Sequence, residues 1–456
     1  MLFTSPLFLF GFLPTVLIIY YISPSKIRNI LLILFSLFFY AWGEGIYVLI
    51  LLIMILANYF FGLKISRSRY RRIFTFIAVI FNLSYIFYFK YLLFTLHVFH
   101  IKNSLSILMP LGVSFVTFHL ISYILDIYKK EIKAEKNFLN FALYILMFPH
   151  LIAGPIVRYK DISAQIKNRT FSTNLFAEGV RRFISGLAKK VLIANVLALV
   201  ADQIFNLFPQ QLSTPLVWIA LLSYALQILF DFSGYSDMAI GLAKMFGFTF
   251  KENFNFPYVA NSIQDFWRRW HISLSSWFRD YLYIPLGGNR RGLFLTLINI
   301  TIVFTLTGFW HGADWHFLFW GFYFAFFLVL ERLFLLRLLQ KIWFGFGHLY
   351  ALTVVFFGWL FFRIDSLNYA LYLLKVMFGY NSNQSVIYQP QYFVTKEYLF
   401  ILITAIFFSI PLYQKIYQKI IQKIPSFEII FFTTIFIFSL MRLAGDTYNP
   451  FIYFRF

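Results

Sequence analysis

The sequence contains no cysteine among its 456 residues. Disulfide bonds therefore cannot stabilise any segment that faces an oxidising compartment. The absence also excludes a covalent intermediate on a cysteine thiolate, which is a common nucleophile in group-transfer enzymes. Any chemistry that this chain performs must use other side chains.

Charged residues are scarce as well, at 12% of the chain, whereas 61% of the residues are hydrophobic and 23% are aromatic. Water-soluble domains are much less apolar, so this composition indicates a polytopic membrane protein. No repeat or linker divides the chain, and we predict one all-α transmembrane domain over residues 1–456, with about 11–13 spans. The apolar runs on which this prediction rests lie at 6–22, 29–41, 46–63, 73–89, 107–128, 191–208, 215–233, 294–312, 316–331, 347–362, 397–412 and 426–441.

The basic residues outnumber the acidic ones by 39 to 18, which gives a net charge of +21. Their positions fit the positive-inside rule if the N-terminus lies outside and the stretch 138–156 enters and leaves on one face. We therefore interpret the charge as topological, with some contacts to membrane lipids, and predict no binding to nucleic acid. Under this topology the lysines and arginines outside the inner loops are Lys90, Lys102, Arg363, Lys375, Lys396, Arg442 and Arg455.

Polar residues within apolar segments are costly and usually face a cavity or a partner. In one such segment Pro149, Gly154 and Pro155 surround His150, so we do not expect a straight helix there. In another, Asp231 and Asp237 are interpreted as residues that cap a helix or pair with an arginine, with catalysis as the alternative. The segments of this kind are 110–128, 148–161, 229–241, 261–292 and 308–315.

The segment 261–292 has apolar side chains at three- and four-residue spacing, which predicts an amphipathic helix. Asn261 or Ser262 would cap its start, and the turn residues after Pro285 would end it. His271 falls on the apolar side. The helix should lie at the inner membrane surface or dip into it, and by itself it could be a plain interfacial helix with a buried histidine.

Several motifs together resemble the membrane-bound O-acyltransferases, and within them the bacterial membrane subunits that O-acetylate alginate and peptidoglycan. The opening "LFTSPLFLFGFLP" and the closing "NPFIYFRF" fit the same family, so the resemblance covers the whole chain. The motifs that carry it are "FPHLIAGP" (148–155), "DFSGYSDMAIG" (231–241), "FWRRWHISLSSWFRDYLYIPLGG" (266–288) and "GFWHGADW" (308–315).

The resemblance implies a multi-pass protein of the bacterial cytoplasmic membrane, with tilted, re-entrant and amphipathic helices around a central tunnel. An acyl group from a cytoplasmic donor would meet, in that tunnel, an acceptor that arrives from the other side. The near-invariant histidine of the family corresponds to His311, and its second polar position, histidine or asparagine, corresponds to His271.

A histidine in such a tunnel suits acyl transfer, because burial keeps the imidazole neutral and able to take a proton from the incoming hydroxyl. We assign this role to His311, with Trp310 forming a wall and Gly312 leaving space beside the ring. His271 could donate to the thioester carbonyl, orient the acceptor or relay charge, and the sequence does not choose among these roles.

The donor that the resemblance implies is acetyl-CoA, whose phosphates would suit arginines on the inner side. Histidines and carboxylates do not occur at spacings typical of zinc or iron sites, so we predict no metal. The arginines assigned to the donor are Arg268, Arg269, Arg290 and Arg291.

The sequence thus predicts an O-acetyltransferase that moves acetyl groups across the membrane to a cell-envelope polysaccharide. Abundant Phe, Ile and Lys are typical of an AT-rich genome and favour peptidoglycan over alginate or another exopolysaccharide, while D-alanyl transfer to teichoic acid stays a further alternative. A transporter or channel of the same fold is the alternative from another class. The largest predicted outward segment, 363–396, is too small to hold a polymer, so we expect an extracytoplasmic esterase-like partner.

Overall fold

A computed structural model describes residues 1–380 and 388–445 of the chain. These residues form helices joined by turns and loops, with no strand among them. The predicted all-α class is therefore confirmed. The closing motif 449–456 and part of the predicted outward segment 363–396 fall outside the described residues.

Seven helices in the described part of the chain are long and apolar enough to cross a membrane, and a pair bent by 86° could supply an eighth span. This confirms a polytopic membrane protein. The number is lower than predicted from hydropathy because some apolar runs form shorter helices, such as Leu7–Ile22 and Val113–Tyr128. The seven candidate spans are Tyr47–Arg67, Arg71–Val98, Thr173–Phe205, Thr214–Met245, Leu293–His311, Phe344–Arg363 and Ser426–Gly445.

The residues cluster into two compact units, so the prediction of one domain stays a prediction. The first unit comprises Met1–Phe183 and Ser236–Glu252, and the second comprises Ile184–Tyr235 and the chain from Asn253 onward. The helices that lie entirely in the first unit are α1 Leu7–Ile22, α2 Arg28–Glu44, α3 Tyr47–Arg67, α4 Arg71–Val98, α5 Val113–Tyr128, α6 Phe138–Leu146, α7 Phe148–Leu151 and α8 Tyr159–Lys167.

Two long helices contribute residues to both units, namely α9 Thr173–Phe205 and α10 Thr214–Met245. The remaining helices belong to the second unit. They are α11 Ile263–Arg269, α12 Ile272–Phe278, α13 Leu293–His311, α14 Trp315–Leu330, α15 Leu336–Leu339, α16 Phe344–Arg363, α17 Leu367–Met377, α18 Lys396–Phe408, α19 Leu412–Lys423 and α20 Ser426–Gly445.

In the first unit the helix is interrupted near His150, as we predicted from Pro149, Gly154 and Pro155. Helix α6 begins at the side-chain cap of Asn137 and ends at Leu146, and Met147 redirects the chain into the single turn of α7. The following residues as far as Val157 are buried without forming a helix. Broken backbone at such a position requires protein around it, and the burial of this segment provides that environment.

The predicted amphipathic helix of the second unit is two helices rather than one. Ser262 does cap the start, because its side chain accepts a hydrogen bond from the N–H of Asp265. However, α11 ends at Arg269, and His271 adopts a left-handed conformation with φ 43° and ψ 56° before α12 begins. A left-handed residue cannot continue an α-helix, so the prediction of an unbroken helix through His271 was wrong.

Helices α13 and α14 pack closely because glycines remove the side chains at their crossing. A methyl group on Gly308 would lie 2.2 Å from the carbonyl oxygen of Phe317, and one on Gly321 would lie 2.4 Å from that of Phe304. Both distances are far shorter than any contact that a real side chain makes. The close crossing fixes the end of α13, where His311 lies.

Candidate active site

His271 is held between a buried asparagine and two aromatic rings of the second unit. Its Nδ1 atom lies 3.1 Å from Oδ1 of Asn253. The ring of Phe232 meets it edge-on at 4.6 Å between centroids, and the ring of Trp310 lies 6.4 Å away. His271 and Asn253 are each only 1% exposed. Burial lowers the pKa of His271 to about 3, so its imidazole is neutral at neutral pH.

His311 is the last residue of α13 and projects into a cluster of aromatic rings. The rings of Trp310, Trp320 and Phe362 lie 4.7, 5.1 and 5.1 Å from the imidazole, and all three meet it at steep angles. A methyl group on Gly312 would come within 2.1 Å of the Phe317 ring, so this glycine leaves space for Phe317, whereas the sequence assigned that space to the imidazole of His311. The imidazole therefore lies among aromatic rings at the end of a helix.

The structure brings the two predicted histidines to the same aromatic cluster, because the ring of Trp310 lies beside both of them. A small cavity of about 10 Å³ borders His311, which is room for about one water molecule. A hydroxyl group could approach the imidazole through this space. The residues that line the cavity are Ile228, Phe232, Trp270, His311, Trp320, Trp359 and Phe362.

A second and much larger cavity, of about 840 Å³, lies between α11, α12, α13 and the end of α14. It extends along α13 to Thr307, one helical turn before His311. Its wall includes Trp267, whose ring meets that of Trp320 at 5.8 Å, and Trp320 lines the small cavity. The contact between these two rings thus links the lining of the large cavity to that of the small one beside His311. The arginines around the large cavity are Arg268, Arg279, Arg332 and Arg337.

Of the four arginines that the sequence assigned to a donor, only Arg268 lines the large cavity. Arg269 forms an ion pair with Asp265 at 3.0 Å, one helical turn away. Arg290 and Arg291 are exposed in the turn that precedes α13 and do not line this cavity. The structure therefore does not bring these four arginines to one site.

Sequence reasoning missed Arg332 and Arg337, which it treated as topological charges of an inner loop. The segment "ERLFLLR" carried a signal, because Glu331 is an acidic residue at the end of an apolar run. In the structure Glu331 is buried and accepts hydrogen bonds from the backbone N–H groups of Ile263 and Gln264 at 2.5 and 2.9 Å. It thereby holds the start of α11 against the arginine-bearing turn that lines the cavity.

The buried histidines of the first unit have structural partners. Val157 donates its backbone N–H to Nε2 of His119 at 3.2 Å, and Nε2 of His150 lies 2.9 Å from the carbonyl oxygen of Tyr144. The two imidazoles meet edge-on at 4.9 Å. The sequence suggested that His119 bonds a neighbouring helix, but its partner Val157 lies in the non-helical stretch after α7, which these contacts hold in place.

The two aspartates of "DFSGYSDMAIG" form ion pairs, as their structural interpretation predicted. Asp231 lies 2.7 Å from Nζ of Lys190 within the second unit, and both side chains are buried. Asp237 lies 2.7 Å from the guanidinium of Arg182 within the first unit. Buried carboxylates with such partners need no catalytic explanation.

Comparison with known proteins gives a match to the sequence model of the membrane-bound O-acyltransferase family over residues 129–374. The chain belongs to this family. Both candidate histidines and every residue of the two cavities lie inside the matched region. The membership makes the protein an acyltransferase, and it decides between the enzyme and the transporter that the sequence left as alternatives.

Relatives in the membrane-bound O-acyltransferase family have related activities. A probable alginate O-acetylase of Pseudomonas aeruginosa is 42% identical over 397 residues, which are 84% of this chain and 76% of that protein. A peptidoglycan O-acetyltransferase of Helicobacter pylori is 37% identical and covers 84% of this chain and 80% of its own. A teichoic acid D-alanyltransferase of Bacillus subtilis is 30% identical over 44% of this chain and 53% of its own. The names of these three relatives describe transfer of an acetyl or D-alanyl group to alginate, peptidoglycan or teichoic acid.

Metal-ligating side chains do not cluster in the described residues of this O-acyltransferase, where no group of three or more His, Asp or Glu could hold an ion. The residues that the structure places together around His311 are aromatic rings and a second histidine. The chemistry that such a set can perform on its own is proton transfer between a hydroxyl and a neutral imidazole.

Proposed function

We propose that this enzyme transfers acetyl groups from acetyl-CoA to hydroxyl groups of a cell-envelope polysaccharide, with peptidoglycan as the acceptor. The observation that carries the proposal is the position of the large arginine-lined cavity, which ends one helical turn from His311. The proposal includes His311 as the general base and His271 as a second polar group of the same site.

The large cavity has the size and charge that a CoA thioester requires. Its volume of about 840 Å³ lies in the range of typical ligand sites, and arginine is well suited to bind phosphate groups in a bidentate manner. The apolar part of the wall, including Phe304 and Val303, would contact the pantetheine arm. With its phosphates at the arginines, the thioester end would point along α13 towards His311.

The reaction needs one base and no covalent intermediate on this chain. His311 takes the proton of the acceptor hydroxyl while the hydroxyl oxygen attacks the acetyl carbonyl carbon. The tetrahedral intermediate then breaks its carbon–sulfur bond, and the departing CoA sulfur takes the proton from the imidazolium. The products are an O-acetyl ester and free CoA, and His311 is neutral again.

The acceptor hydroxyl would reach the site from the outer side, with the N-terminus outside and the donor cavity facing the cytoplasm in a bacterial cytoplasmic membrane. The predicted outward segments are short, and the described part of the longest includes an α-helix of 11 residues, α17. We therefore also propose an extracytoplasmic esterase-like partner that receives the acetyl group and passes it to the polymer. In that case the first acceptor hydroxyl belongs to the partner.

Deleting the gene should remove ester-linked acetate from purified peptidoglycan, and mass spectrometry of the isolated polymers measures this directly. A restored wild-type copy should return the acetate, whereas a copy with His311→Ala should not. Alginate is the second candidate, because relatives named as probable alginate O-acetylases are 37–42% identical to this chain. Loss of acetate from an exopolysaccharide, with unchanged peptidoglycan, would move the assignment to that acceptor.

The arginines of the large cavity should control the affinity for the donor. Arg332→Gln and Arg337→Gln should each raise KM for acetyl-CoA by about 3–10-fold, because each removes an exposed charge that faces the phosphates. Inverted membrane vesicles supplied with radiolabelled acetyl-CoA allow KM to be measured with the native partners present. The turnover number should change little.

Arg290→Gln distinguishes the cavity from the arginines that sequence reasoning assigned. Since Arg290 does not line the cavity, its replacement should leave KM within about twofold of the wild-type value. An unchanged KM in the double variant Arg332→Gln/Arg337→Gln would show that the donor binds elsewhere.

A further inference from the structure

Asn253 joins His271 to the start of the following helix. Its backbone carbonyl accepts the N–H of Ile272 at 2.9 Å, and its side-chain Oδ1 accepts the N–H of Ser273 at 3.2 Å. The hydroxyl of Ser273 donates to the same Oδ1 atom at 2.8 Å. Asn253 thus caps α12 from a position 18 residues before His271, and it is 1% exposed.

This hydrogen-bond pattern fixes the orientation of the Asn253 amide. A backbone N–H can only donate, so the amide atom that faces Ser273 must be the oxygen and not the NH₂ group. The same oxygen lies 3.1 Å from Nδ1 of His271. A lone pair on Nδ1 would face the lone pairs of that oxygen, so Nδ1 must carry the hydrogen.

The hydroxyl of Ser273, which lies 3.4 Å from Nδ1, does not change this assignment. It is closer to Oδ1 of Asn253 and donates its hydrogen there, so only its lone pairs face the imidazole. A hydrogen on Nδ1 is compatible with both neighbours, whereas a lone pair on Nδ1 would be compatible with neither.

We propose that Asn253 is a positioning residue that holds His271 in the Nδ1-protonated tautomer and so makes Nε2 the basic nitrogen. This role rests on the proposed acetyl transfer. The tautomer excludes one of the roles that the sequence left open for His271, because a neutral imidazole without a hydrogen on Nε2 cannot donate from that atom to a thioester carbonyl. It can accept a hydrogen bond from the acceptor hydroxyl, and it can take a proton.

The charged groups on the elements around His271 include two ion pairs and Arg268 of α11, which lines the large cavity. Asp231, on the helix that carries Phe232, pairs with Lys190, and Asp265 and Arg269 on α11 pair with each other. His311 lies beside Trp310 on α13. Asn253 and Ser273, which contact the His271 ring, are uncharged. They therefore influence the ring through the direction of their hydrogen bonds and not through charge.

The tautomer can be measured without any assay of activity. Nitrogen NMR of the full-length protein in lipid, labelled at its 8 histidines, distinguishes the two ring nitrogens by their protonation. The signals of His271 are those that disappear in His271→Asn. The nitrogen signals of His271 should indicate a hydrogen on Nδ1 in the wild-type protein. The same result is expected for Asn253→Asp, because aspartate keeps the acceptor oxygen. Asn253→Ala should lose this fixed form.

The rate of acetyl transfer should depend on the tautomer of His271. In inverted vesicles Asn253→Ala should lower kcat by about 10–100-fold with little change of KM for acetyl-CoA, the usual cost of removing a group that orients a catalytic side chain. Asn253→Asp should retain most of kcat, and its carboxylate should move the acidic limb of the pH profile to higher pH by favouring imidazolium. The pH shift is an effect that a purely structural role would not produce.

Asn299 supplies the matched control, because it is another buried asparagine of the second unit and donates to the carbonyl oxygen of Gly288 at 3.0 Å. Asn299→Ala should leave the His271 tautomer unchanged. A wild-type His271 with its hydrogen on Nε2 would overturn the proposal, as would normal kcat in an Asn253→Ala protein. A wild-type protein without acetyl transfer would instead refute the proposed function, and the NMR result would still decide the tautomer.

Discussion

Replacing His311 by alanine should reduce acetyl transfer by about 10²–10⁴-fold, the usual cost of losing a general base. The imidazole lies in a cluster of aromatic rings, where few other groups could take the proton of an incoming hydroxyl. Asparagine at this position should not restore the rate, because an amide is not a base at any accessible pH. Transfer of radiolabelled acetate in inverted vesicles, normalised to the amount of inserted protein, measures the effect.

Two controls separate lost chemistry from lost structure. The KM for acetyl-CoA should stay near the wild-type value, since the large cavity ends one turn before His311. His348 is a part-buried histidine of the same unit whose Nδ1 lies 3.1 Å from the carbonyl oxygen of Ala260, and His348→Asn should transfer acetyl at a nearly normal rate. Near wild-type turnover from either His311→Ala or His311→Asn would contradict the general-base assignment.

Replacing His271 by alanine should lower turnover by about 10–100-fold, a smaller loss than at His311, because His271 assists the reaction rather than carrying the main proton transfer. His271→Asn should keep a larger share of the activity, since an amide oxygen can accept the same hydrogen bond from the acceptor hydroxyl. Rates of both variants in the vesicle assay, compared with their thermal unfolding, separate the effect on the reaction from an effect on stability. Equal and complete loss in both variants would indicate that His271 must itself be protonated during turnover.

The periodicity of the sequence predicted the elements around the site, and the resemblance to a family selected the two histidines that the structure places beside Trp310. Apolar spacing indicated a helix from Ser262 onwards, and the cap at Ser262 is present. It could not predict the break at His271, because the break depends on hydrogen bonds to Asn253, which is distant in sequence. A local pattern carries no information about a partner that only the tertiary fold brings near.

The large cavity shows the same limit of sequence-based prediction. Arg268 lies beside the histidine motif and could be selected from the sequence, whereas Arg332 and Arg337 follow it by about 60 residues and reach the cavity through the packing of α14 against α11 and α13. Arg290 and Arg291 are close to the motif in sequence, but the turn before α13 leaves them exposed. Distance along the chain was therefore a poor guide to the arginines that surround the cavity.

The left-handed backbone at residue 271 restricts the amino acids that evolution can place there, independently of what the side chain does in the reaction. Most residues with a Cβ atom pay about 1–2 kcal/mol in this conformation, whereas glycine, asparagine and histidine occupy it more readily. Asparagine and histidine are also the two residues that the family resemblance implies for this position. The backbone torsion of 43° thus limits position 271 to a few residue types before any chemistry is considered. Of the residues that this turn of the chain admits easily, histidine is the one whose protonation changes near neutral pH.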